Sequence, residues 1–264
     1  MQKKKLNLLC TYQPAPGLVA VQQDCLSLIK FGIINLTAGK NIDLPVLTDR
    51  ETALVVLSGV FTLNACGKEF IFGERKDVFS GKPFCAYIPA GSACSLKAQT
   101  GGEIAVTTAP GKPGKPFRLL TPGDSKEKKI GRDNFTRTAF IFLDDEVQAD
   151  NLFIGEAIVP SGNWASFPPH RHDFDNLPVE VDMEELYFFR FNPPNGFGIQ
   201  KSYNDSRSLD ETVTVRHNQA VCLTEGYHPV VNAPGYTMYY LWIMAGKNRK
   251  FLSVMDSEHA WIVK

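Results

Sequence analysis

The sequence predicts an all-β protein made of two tandem barrels, with few and short helices. Segments of strand length, rich in β-branched and aromatic residues, follow one another through the whole chain. Gly, Pro or Ser bounds most of these segments, as turns require. No segment has the apolar periodicity of a long amphipathic helix, and the short stretches "DMEEL" and "MDSEHAWIV" come nearest. Many short strands separated by turns are typical of a sandwich or a barrel.

The first half of the chain contains a regular series of predicted strands. They span residues 53–65, 68–73, 84–91, 94–99 and 103–110. The next segment, 111–134, is rich in Gly, Pro and Lys and is typical of an interdomain linker with one short strand in it. The series therefore predicts one barrel domain over residues 1–120.

The second half contains a similar series of short predicted strands. Its predicted strands span residues 151–160, 184–193, 197–204, 211–216, 220–226, 228–235 and 237–246. The two halves also share local patterns, since "FCAYIPAGSACSL" and "AVCLTEGYHPVV" both place a strand, a turn with glycine and another strand. We therefore expect a second copy of the barrel over residues 121–264.

Charge, hydropathy and cysteine content exclude several classes of protein. Lys plus Arg and Asp plus Glu both number 28, so the formal net charge is zero and no nucleic-acid partner is expected. The apolar run "LNLLC" near the start is too short for a signal peptide. No run approaches the roughly 20 apolar residues that span a bilayer. The six cysteines include no CxxC pair, as expected of buried thiols in a reducing compartment. These observations predict a cytoplasmic protein without a membrane partner.

Two of the five histidines lie one residue apart, in the stretch "SFPPHRHDFDN". On a strand, residues i and i+2 project from the same face, so His170 and His172 would direct two imidazoles into one space. Such a pair supplies half of a metal clamp, although an isolated pair is also common on protein surfaces. His217 has the surroundings of a turn and His259 those of a tail, and we leave both outside the predicted site.

The remaining metal ligands must come from other strands. Glu185 opens the strand-like run "ELYFFRF", and His228 opens a strand after a glycine turn in "EGYHPVV". Glu184, Glu180 and Asp182 compete with Glu185 on position alone. Three imidazoles and one carboxylate would hold one divalent metal ion and leave coordination positions open for substrate and water. These donors suit zinc or manganese first, and iron or nickel as well.

Longer motifs in the chain resemble a known family. These motifs are "SGNWASFPPHRHD", "EELYFFRF", "GFGIQKSY" and "EGYHPVVNAPGYTMYYLWIMAG", with "LSGVFTL" and "AYIPAG" in the first half. Through them the chain is similar to the 5-deoxy-glucuronate isomerases of bacterial myo-inositol breakdown, which are relatives of the 5-keto-4-deoxyuronate isomerases. The resemblance covers almost the whole chain and implies two tandem cupin (jelly-roll) barrels.

The resemblance also implies which barrel holds the metal ion. It places the ligands on His170, His172, Glu185 and His228. Glu185 is chosen over Glu184 because it directly precedes "LYFF". All five histidines lie at position 170 or beyond, so the N-terminal cupin barrel is expected to have no metal site. Ala165 and Phe167 depart from the Ser and Tyr that are usual in the family, which concerns fine specificity more than the class of reaction.

The activity implied by the resemblance is an aldose–ketose isomerisation assisted by the metal ion. It converts 5-deoxy-D-glucuronate into 5-dehydro-2-deoxy-D-gluconate. The expected partner is therefore a small sugar acid, and apolar strand edges in the first barrel favour a homo-oligomer. Three alternatives stay open: an isomerase of a related 4-deoxy uronate, a sugar-acid-binding cupin without catalysis, and a cupin dioxygenase.

Four residues of the second half are candidate catalytic groups. Arg190, in "YFFRF", is a candidate to hold the substrate carboxylate in a two-point fork, or else it pairs with a neighbouring acid. Gln200 and Tyr203 are candidates to bond substrate hydroxyls, although their odd spacing prevents both from facing inward. Tyr239 and Tyr240 point to opposite faces of a strand, and we take Tyr240 as the candidate in the pocket. The general base stays open among Glu180, Lys201, Tyr203 and Tyr240.

Overall fold

A computed structural model describes residues 7–22 and 24–263 of the chain. These residues form twenty-three β-strands and three short 3₁₀ helices, and they contain no α-helix. The helices are Pro122–Asp124, Asp133–Phe135 and Ala260–Val263. Within the described ranges, no helix has the length and apolar character that crossing a membrane would require. The predicted all-β fold class is confirmed.

Ten strands build the first barrel as two facing antiparallel sheets. They are β2 (Gly17–Gln22), β3 (Lys30–Leu36), β4 (Asn41–Leu44), β5 (Arg50–Ser58), β6 (Phe61–Ala65), β7 (Lys68–Phe72), β8 (Cys85–Ile88), β9 (Cys94–Ala98), β10 (Gly102–Pro110) and β11 (Arg118–Leu120). The larger sheet has the order β11-β8-β5-β10-β3-β2, and the smaller one the order β4-β9-β6-β7. Side chains alternate along each strand: Leu54 and Val56 of β5 pack inside the barrel with Phe61, whereas Val55 lies on the opposite face.

Thirteen strands of the described chain belong to the second barrel. They are β1 (Asn7–Thr11), β12 (Lys126–Ile130), β13 (Arg137–Leu143), β14 (Leu152–Val159), β15 (Trp164–Ala165), β16 (His170–Arg171), β17 (Glu184–Asn192), β18 (Phe197–Tyr203), β19 (Asp210–Arg216), β20 (Gln219–Leu223), β21 (Val230–Asn232), β22 (Thr237–Ala245) and β23 (Val254–Met255). The larger sheet has the order β1-β20-β17-β22-β14-β13-β12, and the smaller one the order β15-β21-β18-β19. Strands β16 and β23 form a separate pair.

The chain passes from the first barrel to the second between β11, which pairs with β8, and β12, which pairs with β13. Segment 111–134 therefore carries two short strands where one was expected, one for each barrel. Strand β1 departs from the expected division at residue 120, because it pairs with β20 of the second barrel and sets Leu9 opposite Val221. A boundary at residue 120 assigns this strand to the wrong barrel, since pairing rather than chain position decides the sheet to which a strand belongs.

The large sheets of the two barrels pack against each other and share one core. Phe31 and Val55 of the first barrel lie in the same buried cluster as Leu186, Phe188 and Tyr239 of the second. The ring centroids of Phe31 and Phe188 are 5.4 Å apart. Burial of this apolar surface holds the two barrels together.

Charged groups also cross the boundary between the barrels. Arg75 donates to both carboxylate oxygens of Glu156, at 2.9 and 2.5 Å, and each side chain is 1% exposed. Tyr239 donates a further hydrogen bond to Glu156 at 2.7 Å. Burial disfavours the charged guanidinium, but Glu156 outweighs burial and raises the pKa of Arg75. In the same way, the Glu51 carboxylate of the first barrel accepts the backbone N–H groups of residues 150–152, each at 2.7 Å.

Replacing Glu156 by Gln should destabilise the protein strongly, because the Arg75 guanidinium would stay buried beside a neutral partner. Breaking a buried ion pair from one side typically costs about 3–5 kcal/mol, whereas an exposed pair is worth about 0–1 kcal/mol. Glu127→Gln is the matched control, since Glu127 pairs with Lys82 at 2.9 Å while the two side chains are 45% and 41% exposed. Urea denaturation of both variants measures the difference. Equal losses of stability would contradict the role assigned to the buried pair.

Candidate metal centre

Three of the predicted metal ligands converge inside the second barrel. Glu185 is the second residue of β17, His172 follows β16, and His228 lies between β20 and β21. One donor atom of each residue lies within 4.8 Å of the other two. The residues are 4%, 4% and 1% exposed, respectively. The barrel interior thus contains a compact group of two imidazoles and one carboxylate.

Backbone carbonyl groups orient both imidazoles. His172 donates from Nδ1 to the carbonyl oxygen of Met183 at 2.7 Å, and His228 donates from Nδ1 to that of Gly226 at 2.8 Å. A carbonyl oxygen only accepts hydrogen bonds, so each Nδ1 carries a proton and each neutral ring keeps its lone pair on Nε2. This is the arrangement of histidines that bind metal ions through Nε2.

Both Nε2 atoms face the same carboxylate oxygen. Glu185 Oε2 is 3.1 Å from Nε2 of His172 and 3.1 Å from Nε2 of His228. The contact with His228 lacks hydrogen-bond geometry, so Nε2 of His228 is a buried polar atom without a hydrogen-bond partner among the described residues. Lone pairs of neutral imidazoles and a carboxylate oxygen repel one another at this distance unless positive charge lies among them, carried either by a proton on Nε2 or by a metal ion. The donor set therefore fits a divalent metal ion.

The loop that carries His228 is held in place from several directions. Gly226 has a φ of +91°, and a Cβ at this position would lie 2.5 Å from the carbonyl oxygen of Tyr203, so only glycine fits. Asp173 accepts the backbone N–H of Gly226 with both carboxylate oxygens at 2.9 Å. The buried amide of Gln200 donates to the carbonyl oxygen of His228 at 2.7 Å. These contacts fix the direction of the His228 ring.

His170, the fourth predicted ligand, lies beside this group and is not among the three residues whose donor atoms lie within 4.8 Å of one another. Its ring centroid is 4.9 Å from that of His228 and 6.4 Å from that of His172. Burial, with the neighbouring His228 and His172, lowers the pKa of His170 to about 3, so its imidazole is neutral at physiological pH. A neutral imidazole keeps a lone pair for a metal ion, and His170 remains a predicted ligand.

The imidazoles hold Glu185 in its anionic form. Burial alone would raise the pKa of this carboxyl group, but its contacts with His172 and His228 outweigh burial and lower the pKa to about 2. Burial also disfavours a charge on His172, yet the hydrogen bond to Glu185 outweighs it and raises the pKa of His172. The opposite shifts indicate that positive charge beside the carboxylate stabilises the group.

A cavity of about 410 Å³ opens beside the metal centre. This volume lies within the range of small-molecule sites, roughly 300–1,000 Å³. Residues of the cavity wall include Arg137, Ser166, His170, Tyr187, Tyr240 and Trp242. The wall thus combines aromatic rings with a few polar groups, as ligand pockets commonly do.

Two tyrosines supply hydroxyl groups to the cavity. The ring centroids of Tyr187 and Tyr240 are 4.7 Å apart, and the hydroxyl oxygens of Tyr187 and Ser166 are 2.7 Å apart. Burial raises the pKa of both tyrosines, so both phenols stay protonated at physiological pH. The structure places Tyr240 in the cavity and Tyr239 on the opposite face of β22, as the alternation of the strand predicts.

Arg137 brings a positive charge to the cavity wall. Its guanidinium donates from Nη1 to the carbonyl oxygens of Phe135 and Phe167, at 3.3 and 3.2 Å. No carboxylate pairs with it in the described part of the chain, and its Nε and Nη2 groups, which make no hydrogen bond to the described residues, suit an anionic ligand. Sequence reasoning missed both Arg137 and Tyr187. Tyr187 had a usable signal, because it stands two residues after Glu185 and shares its face of β17, whereas Arg137 had none.

Arg190 lies on the other face of β17 from Glu185. It donates to Glu103 of the first barrel at 2.8 Å, and its guanidinium lies 5.1 Å from the ring centroid of Phe188. Arg190 lies an odd number of positions after Glu185 along the strand, so the two side chains point in opposite directions. The prediction that Arg190 enters the pocket is therefore wrong. The alternative, a pair with an acid, describes the structure, although the acid belongs to the other barrel.

Gln200 and Tyr203 do not line the cavity either. The Gln200 amide bonds the backbone of the His228 loop, and the Tyr203 hydroxyl donates to Asp256 at 2.7 Å. The predicted contacts of these two residues with substrate hydroxyls therefore conflict with their positions. Each side chain is engaged by a chain segment distant in sequence, which local spacing does not reveal.

Two candidates for the general base also have other partners. Glu180 accepts a hydrogen bond from Arg171 at 3.3 Å, and Lys201 pairs with Asp210. Of the four candidates, Tyr240 alone lines the cavity. Its raised pKa makes it a hydrogen-bond donor rather than a base at physiological pH.

Comparison with known proteins identifies relatives over almost the whole chain. A sequence model of the KduI/IolB family matches residues 13–262. A 5-deoxy-glucuronate isomerase of Geobacillus kaustophilus is 39% identical over 218 residues, which are 82% of this chain and 79% of that protein. A 5-deoxy-glucuronate isomerase of Bacillus subtilis strain 168 is 34% identical over 249 residues, which are 93% of this chain and 92% of that protein.

Solved structures show the same architecture. The crystal structure of an IolB-like protein from Salmonella typhimurium LT2 superimposes with a TM-score of 0.93 at 34% identity, covering 97% of this chain and 99% of that one. The oxalate decarboxylase of Lactobacillus farciminis gives a TM-score of 0.69 at 15% identity, covering 95% and 88% of the two chains. A structure of Bacillus subtilis oxalate decarboxylase, which has Mn(II) centres, gives 0.66 at 11% identity, covering 96% and 81%. The decarboxylases share the fold alone, and that fold is the predicted two-barrel cupin.

Replacing His228 by Ala should lower the metal content of the protein, because it removes one of the three converging donors. We expect the affinity for the metal ion to fall by about tenfold or more, since even the loss of outer contacts to metal ligands changes this affinity by roughly 10–100-fold. Elemental analysis after purification without a histidine tag provides the measurement. His217→Ala is the matched control, as His217 bonds the backbone of Phe191 and approaches Arg190. Similar metal content in the two variants would remove His228 from the ligand set.

Proposed function

The chain belongs to the KduI/IolB family, and we propose that it is a metal-assisted aldose–ketose isomerase acting on 5-deoxy-D-glucuronate. The product is 5-dehydro-2-deoxy-D-gluconate. The observation that carries this proposal is the buried group of His172, Glu185 and His228 beside a cavity of about 410 Å³. The names of the relatives support the choice of substrate.

The reaction moves hydrogen between neighbouring carbon atoms and changes no oxidation state overall. The aldehyde carbon gains a hydrogen and becomes a hydroxymethyl group, while the adjacent carbon loses its hydrogen and becomes a ketone. The two oxygen atoms exchange a proton in the same process. The site must therefore polarise a carbonyl group, remove and return a proton at carbon, and supply hydrogen bonds to both oxygens.

The donor set is suited to one divalent ion held by His172, Glu185 and His228, with His170 as the fourth ligand. Such an ion supplies Lewis acidity, which polarises a carbonyl group and stabilises negative charge that develops on oxygen. Nitrogen donors with one carboxylate suit zinc or manganese, and also iron or nickel. The backbone carbonyls that accept from the Nδ1 atoms fix the ring orientation before any ion binds.

The tyrosines of the cavity are assigned to the substrate oxygens. Because burial keeps the phenols of Tyr187 and Tyr240 protonated, each can donate a hydrogen bond to an oxygen that gains negative charge during the reaction. Ser166 lies 2.7 Å from the Tyr187 hydroxyl and orients it. The aromatic walls formed by these rings and Trp242 exclude water from the reacting atoms.

Arg137 is assigned to the carboxylate at the far end of the substrate. A guanidinium binds a carboxylate through two parallel hydrogen bonds, and this geometry selects a sugar acid over a neutral sugar. Arg137 takes the role that the sequence first suggested for Arg190. Its position on the cavity wall, where it donates to two backbone carbonyl oxygens and to no carboxylate of the described residues, supports this assignment.

Purified protein should isomerise 5-deoxy-D-glucuronate under anaerobic conditions, because the reaction consumes no oxygen. A chelator should abolish the activity and a divalent ion should restore it. NMR identification of the product, with a 4-deoxy uronate tested in parallel, provides the measurement. Faster turnover of the 4-deoxy uronate, a requirement for oxygen, or binding without turnover would each replace the proposed activity with one of its rivals.

Replacing Arg137 by Lys should raise the KM for the sugar acid by roughly 10–100-fold, since a hydrogen bond to a charged group is worth about 1.5–3 kcal/mol. The variant keeps the positive charge but loses the two-point fork. The matched control is Arg190→Lys, which keeps a charge beside Glu103 on the opposite face of the sheet and should leave KM unchanged. Kinetics with a neutral analogue that lacks the carboxylate complete the test. An equal loss for acid and neutral substrates would show that Arg137 does not bind the carboxylate.

A further inference from the structure

Three of the six cysteines converge at a place outside the cavity. Cys10 lies on β1, Cys25 follows β2, and Cys222 lies on β20. The Sγ atoms of Cys10 and Cys25 are 3.6 Å apart, and all three Sγ atoms lie within 4.8 Å of one another. All three residues are free thiols. This cysteine cluster joins the N-terminal strand, the first barrel and the second barrel.

The cysteine cluster and the metal centre lie on opposite faces of one sheet. In the pairing of β20 with β17, Cys222 stands opposite Leu186, and both side chains belong to the core between the barrels. The next pair along, Leu223 and Glu185, faces the interior of the second barrel. An ion held by the cysteines would therefore occupy a site separate from the metal centre.

We propose that Cys10, Cys25 and Cys222 form a second metal site, for a thiophilic closed-shell ion such as Zn²⁺. Zinc–sulfur bonds of about 2.3 Å place sulfur ligands about 3.8–4.0 Å apart, close to the separations within the cluster. A disulfide requires a sulfur–sulfur distance of about 2.05 Å, so the nearest pair would have to approach by roughly 1.5 Å more. The spacing favours a shared metal ion over a disulfide.

The three thiols are close enough to shift one another's pKa. A hydrogen bond from Cys222, opposed by burial and aided by Cys25, lowers the pKa of Cys10 to about 6. The contact with Cys10 and burial raise the pKa of Cys222, while burial and the same neighbour raise that of Cys25. A divalent ion that binds the three sulfur atoms displaces their remaining protons, and it compensates two of the three thiolate charges.

A bound ion would change how the chain is held together. Cys10 and Cys25 are half-buried, whereas Cys222 is buried, so the cluster lies at the margin of the core rather than in its centre. Three sulfur donors leave one position of a tetrahedral zinc ion to water. A bound ion would connect β1 to the segment after β2, in addition to its pairing with β20.

Titration with Cd²⁺ under anaerobic, reducing conditions tests the site. Cadmium bound to thiolate has an ultraviolet charge-transfer band, which imidazole and carboxylate ligands do not produce. One equivalent of Cd²⁺ should generate this band, and added Zn²⁺ should remove it by competition. Cys10→Ser and Cys25→Ser should each lower the affinity for Cd²⁺ by about tenfold or more, because a soft ion loses one of its three sulfur donors.

Two variants serve as controls for this titration. Cys66→Ser removes an exposed thiol outside the cluster, and His228→Ala removes a donor of the metal centre. Both should keep the charge-transfer band at one equivalent. The proposal is overturned if the unaltered protein shows no band, if the band survives in both cluster variants, or if His228→Ala abolishes it. Circular dichroism verifies the fold, and Cys25→Ser decides the outcome if Cys10→Ser does not fold.

Discussion

Glu185 holds an anionic carboxylate among apolar side chains of the second barrel, where an unpaired charge would be strongly destabilising. His172 and His228 face this anion with Nε2 at 3.1 Å, and their Nδ1 atoms are held by the carbonyl oxygens of Met183 and Gly226. Neutral imidazoles with lone pairs on Nε2 repel the carboxylate, whereas positive charge among the three groups, carried by a proton or by a metal ion, stabilises all of them. The need to compensate one buried charge therefore explains the ring orientations and the glycine turn together, and it fits the donor set to a metal ion.

Strand β17 connects the metal centre with the interface between the barrels. Its odd-numbered residues, among them Glu185 and Tyr187, face the interior of the second barrel. Its even-numbered residues, among them Leu186 and Phe188, pack in the core shared with the first barrel, and Arg190 follows the same face. Because the side-chain period of a strand is two, one strand serves both purposes without conflict. A change in its register would move the carboxylate out of the site and bury the wrong residues.

The first barrel has no imidazole, and its contribution lies in the shared core. Two ion pairs connect the barrels. Arg75 of the first barrel pairs with Glu156 of the second, and Glu103 of the first pairs with Arg190 of the second. Separation would expose a large apolar face and leave these charges without partners. The pairing of β1 with the second barrel adds a further connection. The two barrels therefore form one structural unit, although each has its own interior core.

The sequence by itself determined the all-β class, the two-barrel repeat and the family, because strand periodicity, turn residues and ordered motifs are properties of neighbouring residues. It also selected His172, Glu185 and His228, since the motifs that contain them are continuous stretches of chain. Only the tertiary structure decided the partners of groups that meet across sheets. Arg190 points to the other barrel, Arg137 reaches the cavity, and the three cysteines converge from separate strands. Such contacts depend on strand order and on which face of a sheet is covered, and neither is written in the local pattern of residues.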